Sequence, residues 1–365
     1  MTKVLHPLLL LVVSLAALSP HAACVSEDAL PQGTVVAELG ECDETEWGCS
    51  SNSPEIDHYG FHELNLSGLA GPNSAVALNT VNGRAKLYKG TKVYDLMVRN
   101  SRIAGFLNGL PAIYGPSLVG AELHLHIGRQ SDYVLRIEGV RTIVYPYPYG
   151  STDTLEAYQF SWHTSILLPD GKRNVCKQPM TRTVIDDPTD PDPTPLDPEL
   201  LNLYSGETLV FEGDRFDSAT LQTSDAYDTS WFNLGCAGHT LAKMHLMRHT
   251  LASGAASRGV TRQDRQATLK LLSADYCGNG RPFTVAGVPL TWKGDFVGFR
   301  AVPVTLEARW TETGATCLNV PRLLSTQPDL LTRIATVCAA AGRPMPPACV
   351  NSFDYAGALR VSALP

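Results

Sequence analysis

The clearest hydrophobic pattern lies in the stretch AELHLHI, residues 121–127. Leu123, Leu125 and Ile127 fall on one side, and Glu122, His124 and His126 on the other. A period of two predicts a half-buried strand. YVLRIEGV (133–140) alternates in the same way, and in EAYQFSWHT (156–164) Tyr158, Phe160 and Trp162 share a face. Asp170-Gly171 within PDGK is a hairpin-turn signal, because both residues accept positive φ. Short strands separated by glycine and proline predict a β-rich sandwich-like or barrel-like domain over 61–180.

The period changes after residue 200. Ala237, Leu241, Met244, Met247 and Leu251 recur at helical spacing and predict a helix over 236–252. Thr261-Arg262-Gln263-Asp264 resembles a capping box and starts a second helix running to about Ala274. A third helix is expected over 327–341. Pro328 sits in its first turn, Leu330, Leu331, Ile334, Val337, Cys338 and Ala341 form its stripe, and Gly342 stops it. VTLEARW and CLNVP predict a hairpin around Thr313-Gly314. The fold class expected is therefore α+β, with the β-rich domain followed by an α+β domain over 201–365.

Between them, DDPTDPDPTPLDPE (186–199) carries five prolines and can be neither helix nor central strand. It reads as a stiff acidic linker over 181–200. Its carboxylates are calcium-type donors, but the central glycine of an ordered ligand loop is missing. Residues 24–60, polar and without periodicity, read as a tether.

The first 23 residues read as a signal peptide. Lys3 precedes the apolar run LLLLVVSLAAL (8–18), which is followed by small residues. Ala22-Ala23-Cys24 suits a lipobox with Cys24 as the lipidated residue, although His21 replaces the usual aliphatic. Cleavage near Ala23 by an ordinary signal peptidase is the alternative. Either way the chain is expected outside the cytoplasm, in the cell envelope, touching membrane only through an anchor.

Charge and cysteine content narrow the chemistry. Lys plus Arg is 29 and Asp plus Glu 36, so the net charge of −7 gives no reason to expect nucleic acid. Nine cysteines in an oxidising compartment leave one unpaired. Lipidation of Cys24 leaves eight: Cys42, Cys49, Cys176, Cys236, Cys277, Cys317, Cys338 and Cys349. The pairing expected is Cys42–Cys49, Cys176–Cys317, Cys236–Cys277 and Cys338–Cys349, one of 105 arrangements. No CxxC pair marks a zinc site.

His245 and His249 stand four apart, the spacing at which two imidazoles on one helix face reach a single zinc. Leu246 occupies the place of the glutamate in H-E-x-x-H, and His239 points about 120° away around the helix. Boundary residues beside an apolar stripe are the plainer reading of the pair. His124 and His126 form a second weak metal candidate on one strand face, with solvent-facing alternation as the plainer reading. Asp275 is a candidate general acid or base beside His245 or His249. It also suits acceptance of turn N–H groups, while Tyr276 suits a buried ring with a paired hydroxyl. No G-x-S-x-G elbow occurs.

Ala274-Asp275-Tyr276-Cys277, followed by Gly278 and Gly280, resembles the ADYC domain, a bacterial envelope family named for that motif. CAGHTLAKM (236–244), FTVAGVPLTW (283–292) and LEARWTETGATC (306–317) extend the resemblance over roughly 200–322, and the β-rich part upstream resembles the region that accompanies the domain. It implies an envelope address and lends no reaction. The function expected is a binding or interaction module for a protein or surface ligand, without a cofactor. The alternatives are a metal-dependent hydrolase using His245, His249 and Asp275, with His124 and His126 added, and a thiol redox role needing a free cysteine.

Overall fold

The computed structural model describes residues 53–57, 59–72, 74–146, 151–164, 173–176, 203, 206–217, 219–284, 288, 290–293, 305–350 and 358–364. Its frame is one antiparallel sheet. The main strands are β1 (Glu63–Asn65), β2 (Arg84–Lys89), β3 (Lys92–Arg99), β4 (Arg102–Leu107), β5 (Leu110–Tyr114), β6 (Glu122–Ile127), β7 (Gln130–Val144), β8 (Thr154–Thr164), β9 (Glu207–Gly213) and β10 (Asp228–Cys236). They lie in the order β1-β10-β9-β8-β7-β6-β2-β3-β4-β5. A second sheet, β11 (Thr291–Lys293), β12 (Thr305–Thr311), β13 (Gly314–Leu318) and β14 (Arg360–Leu364), runs β11-β14-β12-β13. The α-helices among the described residues are α1 (Thr240–Leu246), α2 (Arg262–Ser273) and α3 (Leu330–Ala340). The fold is thus α+β and rich in strand.

The expected alternation holds on β6, where Leu123, Leu125 and Ile127 are buried and the positions between them are half-buried. The hairpin at Thr313-Gly314 forms between β12 and β13. Helix α2 starts with a reciprocal cap. The Thr261 hydroxyl accepts the Asp264 N–H at 3.1 Å, and the Asp264 carboxylate accepts the Thr261 N–H at 3.0 Å.

The expected boundary at 181–200 does not separate two sheets. β9, after it, pairs with β8, before it, through Ala157↔Leu209 and Tyr158↔Thr208. The reason is two-sided burial. Leu209 and Phe211 of β9 face a core shared with α1, α2 and the second sheet, whereas Val210 faces a core inside the curled main sheet. Strands β8 and β9 form a wall common to both cores. The tether is likewise shorter than its expected end at residue 60. Ile56 is fully buried, and Glu55 donates its N–H to the Val175 carbonyl at 2.9 Å. The linker, the Asp170-Gly171 turn, the signal segment, Cys24, Cys42 and Cys49 lie outside the described residues.

One carboxylate ties the curled sheet together. Glu212 accepts N–H bonds from Asn100 (2.8 Å) and Ser101 (3.0 Å), the left-handed pair at the β3–β4 turn, and an O–H bond from Tyr227 (2.9 Å).

Candidate functional site

The predicted helix 236–252 breaks into three parts. Cys236 ends strand β10, α1 occupies only Thr240–Leu246, and Arg248 takes a left-handed φ of 62°. That turn sends the Arg248 guanidinium over the Tyr145 ring, 3.2 Å from its centroid, and onto Asp153 at 2.6 Å. His245 and His249 are therefore not four apart on one helix face. His245 is sealed in the core: its Nε2 bonds the Tyr145 hydroxyl at 2.9 Å, its Nδ1 bonds Thr250 at 2.7 Å, and its ring stacks on Phe211 at 4.4 Å. His249 bonds Thr268 through Nδ1 at 2.8 Å. His239 caps α1, accepting the Leu241 N–H at 3.4 Å. Burial holds all three imidazoles down to about 3, with help from His62 and Lys243 at His239, Arg248 at His245, and Arg360 at His249. They are neutral at pH 7.

His124 and His126 share the half-buried face of β6. His124 stacks on Tyr88 at 4.2 Å, and its pKa is lowered chiefly by burial, against the field of Glu122. His126 bonds the Asn79 side chain at 2.9 Å. Among the described residues no group of three or more His, Cys, Asp or Glu side chains converges on a metal position.

The stretch 274–280 is built residue by residue. Ala274 ends α2 in the left-handed region at φ 54°, which turns the chain back. Asp275 then accepts N–H bonds from Asn279 (3.1 Å) and Gly280 (2.8 Å) and pairs with the fully buried Lys270 ammonium at 2.6 Å. Tyr276 packs its ring against Trp310 and Phe283 and donates its hydroxyl to Glu307 at 2.6 Å. Arg322 grips the same carboxylate through Nε (2.8 Å) and Nη2 (3.0 Å) and also donates to the Leu271 carbonyl (2.8 Å). Burial, the Glu307 charge and the hydrogen bond to it push the Tyr276 hydroxyl well above its ordinary value. Asp275 thus serves Lys270 and the turn, while His245 and His249 bond Tyr145, Thr250 and Thr268.

The cysteines pair differently from expectation. Cys176 bonds Cys236, Cys277 bonds Cys338 and Cys317 bonds Cys349, with Cα–Cα separations of 5.7, 5.1 and 4.9 Å. The physical cause is the strand assignment of Cys236. It lies opposite Thr208 at the end of β10, beside the short segment Arg173–Cys176 rather than near residue 277. Cys277 instead meets α3, through Cys338. Peptide mapping of unreduced protein should recover these three cross-linked pairs. Recovery of a 236–277 or 338–349 pair would contradict this arrangement.

Gly278 has no room for a side chain. Its φ is 67°, and a Cβ would stand 1.7 Å from the Thr313 carbonyl oxygen. Gly278→Ala is expected to lower stability by more than about 3 kcal/mol, read as a large drop in melting temperature, because strain and a backbone clash act together. A melting temperature within a few degrees of wild type would show that the hairpin yields.

Sequence reasoning missed Glu307 and Arg322, which carry no local signal of their partnership, and Glu212. Asn82-Gly83 and Asn108-Gly109, both with positive φ at each position, were available as hairpin signals.

The model of the ADYC domain matches residues 115–324 of this chain, beginning well upstream of the signature and including β6 to β10. No curated protein and no solved structure matches.

Proposed function

We propose, from the premise that this chain belongs to the ADYC domain family, that it is an extracytoplasmic interaction protein which docks a protein partner through the exposed end of its sheet. Three disulfides among the described residues fit an oxidising compartment, and none of the described helices is long and apolar enough to cross a membrane. A lipid on Cys24, after removal of residues 1–23, would hold the protein at the envelope surface.

The observation that carries the reading is where apolar surface escapes the core. At the tip of the β4–β5 hairpin Leu107 and Leu110 pair across the two strands and are 49 % and 70 % exposed, and β5 is an edge strand of the main sheet. Clustered apolar side chains at an edge mark an interaction surface. Pro111 in that strand lacks an N–H, which disfavours simple strand addition and leaves side-chain packing as the mode of contact. The polar groups of the 274–280 signature, by contrast, are engaged inside the fold.

The test is site-specific photocrosslinking in the intact envelope with a probe at position 110. A discrete cross-linked partner is expected, lost when Leu107→Asp is added. Position 350, where Val350 is 80 % exposed, is the control. Equal labelling from both positions would sink the proposal.

A further inference from the structure

A cleft of about 230 Å³ opens beside the signature, lined by Tyr276, Cys277, Thr313, Arg343, Met345 and Pro347 among others. Arg343 is fixed in it by one nitrogen. Its Nη1 donates to the Cys277 carbonyl at 2.9 Å and to the Thr313 carbonyl at 2.8 Å. Those two bonds use both hydrogens of Nη1. Nε and Nη2 have no partner among the described residues, and they form the edge of the guanidinium that matches a carboxylate in bidentate fashion.

Gly278 makes this seat possible. A Cβ there would come within 2.6 Å of Arg343 Nη1, so the glycine keeps open the path by which the arginine reaches Thr313. The other walls are short-reaching or apolar: Ala315, Met345 and three prolines at 344, 346 and 347. Among the described residues no carboxylate lines the cleft to neutralise Arg343. The result is a pre-oriented cation, open on its forked edge, at one side of a small apolar hollow. Fixing the guanidinium beforehand removes much of the ordering penalty of binding.

We propose that this cleft binds a small organic monocarboxylate, its carboxylate forked onto Nε and Nη2 of Arg343 and its apolar body against Met345 and the prolines. The cleft volume is below that of drug-sized pockets, roughly 300–1,000 Å³, and favours an acid of a few carbons. The site concerns a different part of the chain from the β4–β5 hairpin, so the two readings stand or fall separately.

The probe is 4-methylpentanoate, with 4-methylpentanamide as its neutral isostere, titrated calorimetrically into the full chain. The acid is expected to bind saturably and at least about tenfold more tightly than the amide, the worth of one charge-assisted forked pair. Arg343→Gln should abolish that preference. A second readout guards against a misfolded variant: in wild-type protein the Met345 methyl resonance should shift with the acid and stay still with the amide. Equal binding of acid and amide, no saturable binding of the acid, or an unmoved Met345 signal would overturn the proposal.

Discussion

Arg322→Met is expected to destabilise the protein by about 3–5 kcal/mol, the usual result of leaving one member of a buried ion pair without its partner. Glu307 is fully buried and accepts from Tyr276, from the Arg322 N–H and from two nitrogens of the Arg322 side chain. Removing the guanidinium leaves a carboxylate with one phenol and one amide in an apolar core. It also removes one of the two donors of the Leu271 carbonyl at the end of α2, leaving the Ala274 N–H. Glu307→Gln combined with Arg322→Met should recover part of the loss, because the uncompensated charge is gone. Chemical denaturation of the two variants and Glu307→Gln alone completes a double-mutant cycle. A loss from Arg322→Met below about 1 kcal/mol, the range of exposed pairs, would show that water reaches Glu307 and that the pair is not the fastening described here.

Acid should unfold this protein well before its carboxylates are neutralised. His239, His245 and His249 are each held near 3 in the folded state, against an ordinary value of 6.5. A base depressed on folding binds its proton in the unfolded chain first. Its contribution is therefore complete above pH 6.5 and is lost as pH falls from 6.5 toward 3. Each group contributes about 2 kcal/mol of loss by pH 5, so three contribute about 6. Asp214 opposes them. Burial, partly offset by N–H bonds from Leu251 and Ala252 and by Arg265, pushes it up to about 6. A carboxyl raised on folding gains stability as pH falls from about 6 to 3.8, which returns about 1 kcal/mol at pH 5. The net expectation is a loss of about 5 kcal/mol between pH 7 and pH 5, comparable with the whole stability of many domains. Urea titrations at the two pH values measure it directly. His245→Gln, which cannot titrate, should reduce the net loss by about two fifths. Identical midpoints at pH 7 and 5 would mean that the buried imidazoles accept protons without unfolding.

Much of the local structure is legible in the residues. The β6 alternation, the Thr261–Asp264 cap of α2 and the turn at Thr313-Gly314 depend on contacts within a few positions, and all three form as expected. Helix α3 starts at Leu330 behind Asp329 rather than at residue 327, a difference of less than one turn. The candidate site was less legible. His245 and His249 have the spacing of a zinc pair, but Arg248 turns left-handed to reach Tyr145 and Asp153, and those partners are far away in sequence. Helix propensity cannot register a tertiary contact that ends a helix.

By itself the sequence determined the class of fold, the short-range elements, the oxidising chemistry expected of its cysteines and the signature that gives the family. These rest on periodicity, capping and residue type, which act over one or two turns of chain. Tertiary structure alone decided three things. Strands from both sides of the acidic linker joined one sheet, because β8 and β9 have apolar residues on both faces and bury both. Cysteine partners were set by which strand ends met, so Cys236 found Cys176 across sixty residues. Glu307, Arg322 and Tyr276 became one buried network because burial makes a shared carboxylate obligatory for all three, and burial is a property of the whole packed chain.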